Sequence, residues 1–159
     1  MKVPGPAKRS VVYAAICCAG MLMIGCSVFV GRVVLTPGDS ASERRRPFDD
    51  TVKATATEIG REVAARNGLE LVPEPYSRLG GEDYSTVSIY QSSGKIWLSL
   101  LVKDDGTEMA YVFTDQRHGE ETKVTAALRR DLIREVGERL PGTVVKFEHR
   151  TEKGSLMGP

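Results

Sequence analysis

Residues 84–114 read YSTVSIYQSSGKIWLSLLVKDDGTEMAYVFT. Apolar side chains alternate with polar ones here in three runs, and turn residues separate the runs. A period of two places successive side chains on opposite faces of a strand. In the first run, Tyr84 to Gln91, Val87 and Ile89 share one face, and Thr86, Ser88 and Tyr90 share the other. Ser92-Ser93-Gly94 turns the chain. In the second run Ile96, Leu98, Leu100 and Val102 align against Trp97, Ser99, Leu101 and Lys103. Asp104-Asp105-Gly106 is a strong hairpin signal, because Asp and Gly accept the positive φ of tight two-residue turns. The third run, from Glu108 to Thr114, puts Met109, Tyr111 and Phe113 opposite Ala110 and Val112. Three consecutive strands joined by short turns make a meander.

Helical periodicity flanks this meander on both sides. Phe48, Val52, Ala56, Ile59 and Val63 recur at spacings of three and four, Asp49 and Asp50 suit the positive end of a helix dipole, and Asn67-Gly68 supplies a stop. Ala56, Gly60 and Ala64 form a second stripe of small residues. A glycine inside a helix costs about 1 kcal/mol relative to alanine, so Gly60 implies another backbone packed close against it. Val124, Leu128, Leu132, Val136 and Leu140 predict a second helix over residues 121–140, ended by Pro141-Gly142, and Thr143 to His149 predicts a last strand. Between the first helix and the meander, residues 70–83 contain Pro73, Pro75, Gly80 and Gly81 and predict a connector.

Toward the N-terminus the pattern changes. Val11 to Val30 is a run of 20 residues without a charge, and a helix of that length spans about 30 Å, the hydrocarbon thickness of a bilayer. Lys2, Lys8 and Arg9 precede it, which matches a signal anchor. Within the run, Met23-Ile24-Gly25-Cys26 resembles a bacterial lipobox, which implies lipidation of Cys26 as the alternative mode of attachment. Residues 36–47 hold Pro37, Gly38, Ser40 and Ser42 and end with Arg44, Arg45 and Arg46 before Pro47. They predict a flexible basic stalk whose arginines touch anionic headgroups.

These readings give a chain with a cytoplasmic N-terminus over residues 1–10, a membrane anchor over 11–35 or a lipoprotein signal ending at Cys26, and a stalk over 36–47. One α+β domain follows over 48–150, then a tail over 151–159. The domain order is α-β-β-β-α-β, with a mixed, mostly antiparallel sheet and two helices on one face. The expected location is the inner membrane, single-pass, with the domain extracytoplasmic.

Charge and cysteine usage narrow the function. From Pro47 onward there are 15 basic and 19 acidic side chains, a net charge of −4. That balance argues against nucleic acid as a partner. Cys17, Cys18 and Cys26 all lie in the apolar run, which leaves the domain with neither a disulfide nor a thiolate metal site. No metal or cofactor is expected. The two histidines, His118 and His149, lack a cysteine or a serine elbow beside them, and Asp115 to His118 is the only carboxylate-imidazole loop that offers acid/base chemistry.

The expected function is therefore a non-enzymatic interaction or accessory domain tethered in a bacterial envelope, with membrane lipid and an envelope protein as partners. The alternatives are a lipoprotein that maintains the envelope and a small hydrolase using the Asp115 to His118 loop. With both helices on the Ile96 and Leu98 side, Trp97, Leu101 and Tyr90 are the candidates for protein contact, since tryptophan and tyrosine dominate interface hot spots.

Overall fold

A computed structural model describes residues 27–38, 46–73, 83–93 and 95–153. The elements run β1 (Ser27–Pro37), α1 (Asp50–Arg66), β2 (Glu70–Leu71), β3 (Tyr84–Gln91), β4 (Ile96–Lys103), β5 (Met109–Asp115), α2 (Lys123–Arg139) and β6 (Thr143–Lys153). The expected α+β class holds. The six strands form one sheet in the order β2-β3-β4-β5-β1-β6, and each neighbouring pair is antiparallel.

The largest departure from expectation is β1. Ser27 to Pro37, assigned by hydropathy to the end of the anchor and the start of the stalk, form an interior strand. Phe29, Val33, Val34 and Leu35 are buried. Val28 to Leu35 is apolar apart from Gly31 and Arg32, because an interior strand is flanked on both sides by its neighbours and covered on one sheet face by helices. Hydropathy alone cannot separate such a strand from the end of an anchor. Arg32, inside the segment read as anchor, reaches across the sheet to Glu108.

This insertion also changes the sheet order. β1 lies between β5 and β6, the two strands that α2 connects, and pairs antiparallel with both. The last strand runs on to Lys153, so residues 151–153, read as tail, belong to β6. Among the described residues no helix is long and apolar enough to cross a membrane. Residues 1–26, including the remainder of the predicted anchor and Cys26, lie outside the described residues, as do Arg44 and Arg45.

Both helices start on side-chain caps. Asp49 accepts a hydrogen bond from the Val52 amide at 2.8 Å, and Thr122 forms a reciprocal capping box with Thr125. Ala56, Ile59, Val63, Leu128, Leu132 and Val136 then pack against Leu98, Leu100, Met109, Tyr111 and Phe113 on the sheet. Gly60 has a different neighbour from the one expected: the Tyr111 ring, not a backbone, lies 3.2 Å from where a Cβ would stand. The Tyr111 hydroxyl donates to the Ala56 carbonyl one turn earlier, so the small-residue stripe of α1 makes room for a tyrosine. Arg139 joins the two helices through Glu58 at 3.0 Å and Glu62 at 2.9 Å.

Candidate functional site

The sheet face away from the helices is organised as rows of directly opposed residues. Gln91, Trp97, Thr114, Val30 and Arg150 form the row at the end where β1 begins. Ile89, Ser99, Val112, Arg32 and Glu148 form the next, followed by Thr86, Leu101, Ala110, Val34 and Lys146. Ile89, Ser99, Leu101, Ala110 and Val34 are buried, whereas Trp97, Thr114, Val30 and Val112 are half-buried. Among the described residues, three polar atoms on this face are buried without a hydrogen-bond partner: Trp97 Nε1, Thr86 Oγ1 and Arg32 Nε.

Of the three residues expected on this face, two are there. Trp97 and Leu101 share it, with Leu101 packed out of reach and Trp97 half accessible. Tyr90 is opposite Leu98 and belongs to the helix-side core. A bulge between Thr86 and Ser88 shifts the register and leaves Val87 exposed, so strict alternation through β3 misplaces the residues after it.

A polar group closes the far end of the same face. Arg32 Nη2 donates to Glu108 Oε1 at 2.6 Å and to the Tyr84 hydroxyl at 2.9 Å. The Tyr84 hydroxyl donates to the same Glu108 oxygen at 2.6 Å, and the Arg32 guanidinium lies 5.2 Å from the Tyr84 ring centre. Burial pushes the Tyr84 pKa up, and the bond to Glu108 pushes it further, against the opposing effect of Arg32. Sequence reasoning missed this group because its members come from β1, β3 and the residue just before β5. Only the placement of Arg32 in a strand would have pointed to it.

On the helix side, at the same end as Trp97, there is a cleft of about 290 Å³ lined by Phe29, Phe147, His149, Arg129, Glu121 and Thr151 among others. That is near the small end of the range for ligand clefts. Phe29 and Phe147 stack on His149 at 6.2 and 5.7 Å between ring centres. The Arg129 guanidinium covers Phe147 at 4.9 Å and pairs with Glu121 at 2.9 Å. His149 is thus an exposed residue whose ring joins an aromatic cluster.

Beside that cleft, the Asp115 to His118 loop does come together. Asp115 Oδ2 lies 3.1 Å from His118 Nδ1. The same carboxylate accepts from the Arg117 amide at 2.9 Å and from the Thr122 hydroxyl at 3.3 Å. Asp115 is only 2% exposed, so its oxygens are engaged in shaping the turn from β5 into α2. Among the described residues Asp115 is the only side-chain partner of the His118 ring. Arg46 is exposed at the edge of the described chain, and among the described residues no group of three His, Cys, Asp or Glu side chains could hold a metal ion.

No protein-family model matches the chain. No curated protein matches it either. The functional reading therefore rests on sequence and geometry.

Proposed function

We propose that this chain is a non-enzymatic interaction domain of the cell envelope, an accessory subunit tethered to the membrane by the apolar segment before β1. In this reading the Trp97 row, on the sheet face away from the helices, docks on a neighbouring envelope protein. The supporting observation is one of position. β1 starts at Ser27, immediately after the uncharged residues 11–26, and Trp97 stands in the row at that end of the sheet. A tether arriving there leaves no stalk, because a single residue spans less than about 4 Å. Trp97 would then sit close to the headgroup layer, where tryptophan is enriched. The partner that suits this site is a membrane-adjacent protein segment with apolar side chains to cover Trp97, Val30 and Val112.

The two modes of attachment differ in fit. A lipid on Cys26 brings the bilayer to the first residue of β1, whereas a retained span has only the 16 residues 11–26, about 24 Å as a helix and short of the roughly 30 Å hydrocarbon core. The inner membrane, with the domain on the extracytoplasmic side, remains the proposed location.

Photo-crosslinking in cells from position 97 tests the reading. It predicts one defined membrane-associated protein captured from position 97 and absent from position 105, in the turn at the opposite end of β4. Capture of lipid alone from position 97 would overturn the protein-docking role. Recovery of the chain in the soluble fraction would overturn the tether. Mass spectrometry of Cys26 separates a lipid anchor from a retained span.

A further inference from the structure

We infer that β6 is a self-pairing edge, and that two copies of this chain join along it into one continuous sheet. The two edges of the sheet are unequal. At one end the edge strand β2 has two residues, whereas at the other β6 has 11. No described strand lies on the outer side of β6, and Lys146 and residues 149–153 are exposed. A long edge strand offers a row of main-chain donors and acceptors to another strand.

The side chains on β6 select the occupant. Lys146, Glu148, Arg150 and Glu152 follow one another on one face with alternating sign, already paired along the strand at 2.8 Å for Lys146 with Glu148 and 2.6 Å for Arg150 with Glu152. Edges that are protected against pairing characteristically carry charges that repel a second copy, lysine above all. Here an antiparallel copy centred on His149 puts Lys146 opposite Glu152 of the second chain and Glu148 opposite Arg150. By the two-fold symmetry both contacts occur twice, giving four directly opposed pairs of unlike charge. Shifting the centre by one residue to Glu148 puts Lys146 against Arg150, and shifting it to Arg150 puts Glu148 against Glu152. The pattern thus specifies both the partner, a second copy, and the register.

In that register residues 145–153 of each chain face each other, enough for on the order of eight to ten main-chain hydrogen bonds. On the helix side the two His149 rings become neighbours across the two-fold axis, and Thr151 of the second copy stands beside Phe147. The aromatic cleft, lined by Phe147, His149 and Thr151 along its β6 side, would be continued across the new junction. This inference does not depend on the tether or on the Trp97 face, which lies at the start of β4.

The test is sedimentation of the full chain in detergent, density-matched so that only protein mass is read, with three forms compared. The wild type is expected to be a dimer. Lys146→Glu turns two of the four opposed pairs into repulsions, and is expected to weaken the dimer by about fivefold to thirtyfold. Lys146→Glu combined with Glu152→Lys restores unlike charges in the same register and should return the dissociation constant to within about threefold of wild type. Circular dichroism of all three forms checks that the fold is retained. A monomeric wild type, a dimer indifferent to Lys146→Glu, or a double variant no tighter than Lys146→Glu would each overturn the inference. Dimerisation through the apolar segment would show the second of these results.

Discussion

Gly31 of β1 is directly opposite Phe113 of β5, and the Phe113 ring fills the space that a side chain at Gly31 would occupy. A Cβ there would stand 2.3 Å from Phe113 Cε2. Phe113 is buried and stacks on Phe147 at 6.3 Å, so the ring cannot swing aside without disturbing that stack. Gly31→Ala is expected to cost about 1–3 kcal/mol by overpacking, and Gly31→Val more. Urea unfolding measures this. The same substitution in a lipid-facing anchor helix would leave the domain's unfolding unchanged, so the experiment also checks the assignment of β1.

The roles of Asp115 and His118 can be separated. Asp115→Ala removes a buried acceptor that serves the Arg117 amide and the Thr122 hydroxyl, and should lower stability by about 2–3 kcal/mol. His118 has a side chain 55% exposed, and His118→Ala should stay within about 0.5 kcal/mol of wild type. Thermal unfolding of both variants gives the comparison. If His118→Ala abolishes function in cells while stability and crosslinking from position 97 are intact, the loop performs chemistry and the non-enzymatic reading fails.

Alkaline pH should destabilise the fold through two tyrosines. Burial raises the pKa of both Tyr84 and Tyr111, far more for Tyr111. Each therefore holds its proton more tightly in the folded chain than in the unfolded one. The stability they contribute is complete below the unfolded value of about 10 and is lost as pH rises beyond it. Lys103, whose pKa is raised by its hydrogen bond to Asp105, titrates in the same direction. The midpoint of chemical unfolding should fall between about pH 10 and 12, and Tyr111→Phe should flatten that fall. At neutral pH the same variant loses the hydrogen bond to Ala56, at a cost of about 1 kcal/mol.

The β4–β5 turn carries a local signature at the acid end. The Thr107 hydroxyl and amide, together with Lys103, pull the Asp105 carboxyl down to about 2. Its contribution is present above the ordinary carboxylate value of about 3.9 and disappears as pH falls through 2. Thr107→Val removes the hydroxyl donor and should move Asp105 back toward the ordinary value. An NMR titration of the side-chain carboxyl reads the shift directly.

Much of the fold was legible before any coordinates. Ile96, Leu98 and Leu100 on one face of β4, the Asp104-Asp105-Gly106 turn, and the Leu128, Leu132, Val136 stripe of α2 all occupy the places that their periodicity assigns. These are local signals, in which side-chain spacing and turn chemistry act within a few residues. Tyr90 failed because a one-residue bulge at Val87 reverses every face after it, and a bulge leaves no hydropathy signal of its own.

The site was less legible than the fold. Trp97 could be singled out from its strand, but the Arg32, Glu108 and Tyr84 group and the Phe29, Phe147 and His149 cluster join residues from distant parts of the chain.

By itself the sequence determined the α+β class, the meander, the two amphipathic helices, and the apolar run of residues 11–26 that precedes them. Only the tertiary structure decided where that run stops being an anchor candidate and becomes β1. An interior strand and a membrane span satisfy the same physical demand, apolar side chains away from water. They differ in how the backbone hydrogen bonds are met, within the segment for a helix and between segments for a strand. The partners that meet them for β1 are β5 and β6, about 80 and 115 residues further along the chain, so no local pattern could have announced the pairing.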